Sequence, residues 1–150
     1  MSTGTAAIQF HYQYRSFNLS ARTELKAFLL KLARLEKQKV KQINYIFCSD
    51  EYLLQLNQSY LQHDTLTDII TFPFNPPGEP LVSDIYISVE RVRENAGLYK
   101  SSFNRELHRV IFHGLLHLSG YKDKTKEQAL LMRNKEEIYL NKYFVPRGTP

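Results

Sequence analysis

Tryptophan is missing from this chain, and cysteine occurs once, at Cys48. A lone thiol excludes an intrachain disulfide framework. Its place in the apolar run Tyr45-Ile46-Phe47-Cys48 reads as a small core residue and not as a nucleophile. No stretch approaches the roughly 18 consecutive apolar residues that a membrane-crossing helix needs, and the opening "MSTGTAAIQF" lacks the basic segment and apolar run of a secretory signal. These absences predict a soluble cytoplasmic protein with neither a membrane nor a disulfide partner. Repeats, low-complexity tracts and linker-like runs are absent as well. Acidic residues are outnumbered, with 15 Asp and Glu against 20 Lys and Arg, a net charge of +5 and a pI of about 9.3. That excess favours a polyanionic partner through steering and counterion release, without by itself selecting nucleic acid.

What is present suits one globular domain over residues 1–150. The chain is 43% hydrophobic and 13% aromatic, and a chain of this size buries roughly two-thirds of its unfolded surface around one core. The end, "VPRGTP", combines proline, glycine and a basic residue and reads as a flexible tail over about 145–150.

Ile8, Phe10, Tyr12 and Tyr14 alternate with Gln9, His11 and Gln13, the period of a strand with one buried face. Leu25, Phe28, Leu29, Leu32 and Leu35 recur at helical spacing after Ser20, a candidate cap. "INYIFCS" reads as a second strand, and "SDEYLLQLNQSYL" as a helix opened by Ser49 or Asp50. "DIITFPF" is a third strand, stopped by the loop "NPPGEP", and "LVSDIYIS" a fourth. Helices follow over about Val89 to Leu98, Asn104 to Ser119 and Thr125 to Tyr143. Strand–helix–strand order implies parallel pairing, whereas the short Pro-Gly loop before the fourth strand suits an antiparallel neighbour. The expected fold is α+β: a single domain with a mainly parallel four-stranded sheet, one antiparallel strand, and packed helices.

The segment "HGLLHLSGYKDK" concentrates the chemistry. His113 and His117 stand four apart on a predicted helix, so both rings lie on one face, the spacing of helical zinc sites. Spacing alone leaves open a second reading, two hydrogen-bonded helix residues that bind nothing. Gly120 falls where a C-cap glycine turns the chain back, which brings Asp123 toward the pair. The pattern H-x-x-x-H-x-x-G-x-x-D matches the spacing of the metzincin metal helix with Asp at the third ligand position. Zinc peptidases carry Glu as general base immediately after the first histidine. Gly114 stands there instead, which excludes that peptidase chemistry.

The motifs resemble those of the bacterial YbeY endoribonucleases, also called rRNA maturation factors. "HGLLHLSGYKD" resembles the family's H-G-x-L-H-L-x-G-Y-D-H, "LNQSYLQHDTLTDIITFPF" its segment L-N-x-x-Y-R-x-x-D-x-P-T-D-V-L-S-F-P, and "SDIYIS" its G-D-I-x-I-S strand. Together these segments cover about residues 44 to 124, in the family's order. The resemblance implies one α+β domain in which His113 and His117 are metal ligands and Asp123 takes the place of the third histidine. It implies one divalent ion, zinc first, with RNA and ribosomal subunits as partners. The activity implied is single-strand RNA cleavage in 16S rRNA 3′-end maturation and ribosome quality control.

Two departures stand out. Lys122 replaces the family's Asp, and Leu61 replaces an arginine suited to phosphate contact. Lys122, Lys124 and His63 are the candidate RNA contacts, with Arg91, Arg93 and Arg105 behind them. No protein side chain is assigned as catalytic, because water on the metal would serve as nucleophile. Thr67 and Asp68 match the family but read as local turn residues, together with Asp64. Asp84 is either an acceptor behind a ligand histidine or a strand-end residue. The alternative to an enzyme is a non-catalytic ribosome- or RNA-binding factor with a structural or vestigial metal site.

Overall fold

The first strand, β1 (Ile8–Tyr12), realises its alternation directly: Ile8 is buried and His11 exposed. A computed structural model describes residues 7–60 and 67–148, with side chains through residue 144. The elements after β1 are α1 (Arg22–Leu35), β2 (Val40–Cys48), α2 (Asp50–Tyr60), β3 (Ile69–Pro73), β4 (Leu81–Ser88), α3 (Val89–Leu98), α4 (Phe103–Leu118) and α5 (Lys126–Gly148).

The strands form one sheet in the order β1-β2-β4-β3. β1 and β4 each pair parallel to β2, while β3 runs antiparallel to β4 across the Pro-Gly loop. The α+β architecture is therefore the expected one, with the single antiparallel strand at an edge. Pro73 closes that edge strand, where a missing N–H costs no central ladder bond.

One face of the sheet carries Ile8, Ile43, Tyr45, Phe47, Ile85 and Ile87, all fully buried beneath α1, α3, α4 and α5. Tyr45 donates its hydroxyl to Ile111 O at 3.1 Å, fastening the sheet to α4. Left unmade in this interior, such a bond would cost about 1–3 kcal/mol. On the other face α2 covers a smaller cluster of Cys48, Leu53 and Ile70. Burial pushes the Cys48 thiol up to about 12, so it stays protonated and unreactive, as a core residue should.

Part of that face is polar. His11 Nε2 meets Asn44 Oδ1 at 3.1 Å, and Asn44 Nδ2 donates to Asp84 Oδ1 at 3.1 Å. Asp84 thus bonds across the sheet, and the structure does not place it behind a ligand histidine.

Several element ends depart from expectation. Ser20 does not cap α1; the N-cap is Ala21, in a left-handed conformation with φ 52 and no side-chain bond. Ser49 does cap α2, accepting from Tyr52 N at 3.1 Å. The backbone of α5 is helical to Gly148, so helix extends into the region expected to be a tail, and residues 149–150 lie outside the described residues.

Helix α4 is the spine of the molecule. Ser102 caps its start by accepting from Arg105 N at 3.1 Å. At its end Gly120 takes φ +113, and two backbone bonds close the turn: Gly120 N to His117 O and Tyr121 N to Leu116 O, each 3.1 Å. That pair is the Schellman arrangement, which favours glycine at the left-handed position. Gly114 has a different reason. A Cβ there would stand 3.0 Å from Ile69 Cδ1 and 3.2 Å from Ile85 Cγ2, so glycine lets α4 lie close against β3 and β4.

Candidate metal centre

Helix α4, the turn carrying Asp123, helix α5 and the start of β3 line an open cleft of about 430 Å³, with His113, His117 and Asp123 all on its wall. The helical spacing and the C-terminal turn put them there, as the sequence predicts. His113 Nε2 lies 3.6 Å from Asp123 Oδ2. His113 is half-buried, whereas His117 is exposed.

The other nitrogen of each ring is already committed. His113 Nδ1 lies 2.7 Å from Glu136 Oε2, and His117 Nδ1 lies 3.2 Å from Tyr121 O. A carboxylate and a carbonyl can only accept, so both Nδ1 atoms carry a hydrogen, and in the neutral tautomer that this selects the lone pair falls on Nε2. This is the arrangement that readies imidazole for a metal. Among the described residues, no three acidic, imidazole or thiol groups already converge to hold an ion. Asp123 sits on the turn with its side chain 48% exposed, so the donor set is not closed. In chemistry it still fits a divalent cation: two neutral imidazole nitrogens and one carboxylate facing a shared cleft.

Behind the histidines lies a network that sequence reasoning missed. Arg109 reaches Glu106 at 2.6 Å, Glu136 at 3.0 Å and Asp68 at 3.8 Å. Burial opposes the charge on Glu136, but the bond from His113 and the neighbouring Arg109 outweigh it and hold its carboxyl below the usual range. Burial likewise works against the Arg109 guanidinium, yet its bonds to Glu106 and Glu136 hold it charged, above its ordinary pKa. For Asp68 burial wins, and its carboxyl is raised despite Arg109 and His113. Asp68 also lines the cleft and is more than a turn former. Thr67 does bond locally, donating to Ile69 O at 3.4 Å. No local spacing signals Glu136, which meets His113 from another helix.

Of the candidate RNA contacts, Lys122 and Lys124 are not among the residues lining this cleft. Lys122 lines a neighbouring groove with Glu36 and Tyr121. Lys124 is exposed, its backbone N–H bonded to Gln128. His63, like Leu61 and Asp64, lies outside the described residues. Arg91 is engaged with Asp50 and Arg105 with Glu137, while Arg93 stacks over Phe103 at 4.3 Å. Arg133, which sequence reasoning did not single out, lines the cleft itself.

Fold and site together define an α+β domain with a paired-histidine centre carried on one helix. The family model for endoribonuclease YbeY matches residues 8–144. The endoribonuclease YbeY of Cytophaga hutchinsonii is 47% identical over 134 residues, covering 89% of this chain and 94% of that protein. The corresponding protein of Flavobacterium psychrophilum is 46% identical, covering 94% of this chain and 99% of its own. The solution structure of TM1509 from Thermotoga maritima superposes with a TM-score of 0.59 at 27% identity, over 91% of this chain and 88% of that one. The chain belongs to the endoribonuclease YbeY family.

Proposed function

We propose that this protein is a metal-dependent endoribonuclease that cleaves single-stranded RNA in the cytoplasm, acting in 16S rRNA 3′-end maturation and ribosome quality control. One observation carries the reading. Both Nδ1 atoms of the histidine pair are engaged, by Glu136 and by Tyr121 O, which leaves both Nε2 atoms for an ion beside Asp123. Family membership supplies the reaction class. When bound there, a divalent ion would supply Lewis acidity toward a phosphoryl oxygen and toward water. Zinc is the first candidate, while the anionic oxygen of Asp123 moves selectivity toward oxygen-preferring metals.

The chain's own residues do the rest. His113 and His117 present nitrogen donors, and Asp123 an oxygen donor. Glu136 fixes the ring of His113. Arg109 is only 13% exposed and is consumed by carboxylates, so it neutralises the site's acidic wall and takes no part in binding phosphate. Arg133 is 55% exposed, and its one ion pair among the described residues is a 3.8 Å approach to Glu136. It is the cleft's available cation for a substrate phosphate. Lys122, Lys124 and His63 are proposed as contacts farther along the strand, where basic side chains neutralise the backbone.

The test is metal analysis of the purified protein with and without His117→Ala, alongside a single-stranded RNA cleavage assay. Loss of both metal and cleavage is expected, and full nuclease activity in the variant would defeat the proposal. The unclosed donor set favours a second reading, a non-catalytic ribosome- or RNA-binding factor. Ribosomal-subunit binding that survives loss of both histidines, with no RNA cleavage by the wild type, would select it.

A further inference from the structure

The turn that carries Asp123 has no secondary structure between Gly120 and α5; its backbone is held at the start by Tyr121 N to Leu116 O and at the end by Lys124 N and Thr125 N to Gln128 Oε1, each 3.1 Å. Its one large anchored side chain is Tyr121. The Tyr121 hydroxyl donates to Glu36 Oε1 at 2.9 Å, while Tyr121 O accepts the Nδ1 hydrogen of His117 at 3.2 Å. Glu36 is itself fixed from another helix: Tyr139 donates its hydroxyl to Glu36 Oε2, and Lys135 Nζ lies 3.3 Å from the same oxygen. Lys135 also stands over the Tyr121 ring, 5.5 Å from its centroid. The Glu36 side chain is 9% exposed. It stands just past the end of α1, takes no part in the cleft chemistry described above, and ties α1, α5 and the turn at one point.

We propose that Glu36 is a positioning residue for the metal centre, acting through Tyr121 to set the orientation of His117 and the place of Asp123. A charge-assisted bond to a phenol is among the stronger single tethers a turn can have. Here one residue carries both the tether, at its hydroxyl, and the acceptor that orients a ligand ring, at its carbonyl. If the hydroxyl is released, the turn loses its fixed side chain, the carbonyl drifts, and the imidazole of His117 is free to rotate. Loss of such supporting bonds typically weakens metal binding by about 10–100-fold.

The inference rests on the metal-site reading, and the experiment separates the two. Tyr121→Phe removes the tether and keeps ring and carbonyl. Tyr139→Phe removes a bond to the same carboxylate and leaves the tether. Zinc affinity is measured by titration calorimetry for the wild type and both variants, with thermal unfolding as a stability control. The tautomer of His117 is read by nitrogen-15 NMR in the metal-free proteins. Both variants should unfold at lower temperature. Only Tyr121→Phe should lose zinc affinity, by about 10-fold or more, and only it should release the Nδ1 tautomer of His117. Equal zinc affinity in Tyr121→Phe and wild type, or an equal loss in Tyr139→Phe, overturns the inference while leaving the metal reading intact. No zinc uptake by the wild type overturns the metal reading. The tautomer then decides alone whether the tether orients His117, and an unchanged tautomer in Tyr121→Phe sinks that too.

Discussion

His113 and Glu136 are joined across two helices by a 2.7 Å hydrogen bond from Nδ1 to Oε2, and the same carboxylate receives Arg109 at 3.0 Å through its other oxygen. One acidic side chain, 2% exposed, thus orients a candidate ligand and balances a buried cation at once.

Because of that double duty, Glu136 variants should differ by what they leave behind. Glu136→Ala removes one of the two close carboxylate partners of Arg109, leaving Glu106 at 2.6 Å, and should destabilise the fold by about 1–3 kcal/mol. Glu136→Gln keeps the shape but loses the charge, and should lower divalent-metal affinity by roughly 10-fold or more. Urea unfolding and titration calorimetry check the two outcomes; equal metal affinity in Glu136→Gln would show that His113 needs no orienting carboxylate.

Acid stability follows from the same residue. Its folded-state pKa lies below the usual 4.5, so its stabilisation is complete above that value and is lost as the pH falls through the lower folded value. Asp68 has the opposite sign, since burial raises it above the usual 3.8, and it resists that loss. Stability followed by urea unfolding from neutral to acid pH should therefore fall less steeply in Glu136→Gln and more steeply in Asp68→Asn.

Gly114 stands where a zinc peptidase has its base, and restoring that base should not restore the chemistry. With Ile69 and Ile85 at 3.0 and 3.2 Å from the Cβ position, Gly114→Glu forces a carboxylate into the helix–sheet contact. Overpacking costs about 1–3 kcal/mol, and an unpaired buried acid adds to it. The variant should unfold more readily and hydrolyse no peptide. A stable Gly114→Glu protein would show that the contact is looser than its distances imply.

Arg133 should behave as a phosphate contact. Arg133→Ala is expected to weaken binding of a non-cleavable single-stranded RNA and to reduce the slope of log affinity against log salt by about 1, with metal content unchanged. A salt slope equal to the wild type's would assign the residue to the surface.

Local chemistry carried much of this in the linear chain. The histidine pair, the glycine turn and Asp123 span eleven consecutive residues, and helical periodicity alone puts them side by side. The Pro-Gly loop announced the antiparallel edge, and strand alternation announced the buried face. Where local reading leaves a role open or falls short, a nonlocal partner decides the outcome. Asn44 from a neighbouring strand bonds Asp84, whose role the sequence leaves open, and Arg109 from α4 approaches Asp68, which reads locally as a turn residue. Ser20 lost the cap to a left-handed Ala21.

Sequence by itself therefore determined the fold class, the family and the three candidate donors, because each depends on periodicity or on spacing within a turn or two. Tertiary structure alone decided what stands behind those donors: Glu136 on His113, Arg109 among its carboxylates, and Glu36 on Tyr121. Ionic and hydrogen-bonded partners meet wherever packing brings them together. The bond between Tyr121 and Glu36 joins positions 85 residues apart, a separation that leaves no periodic trace in the chain.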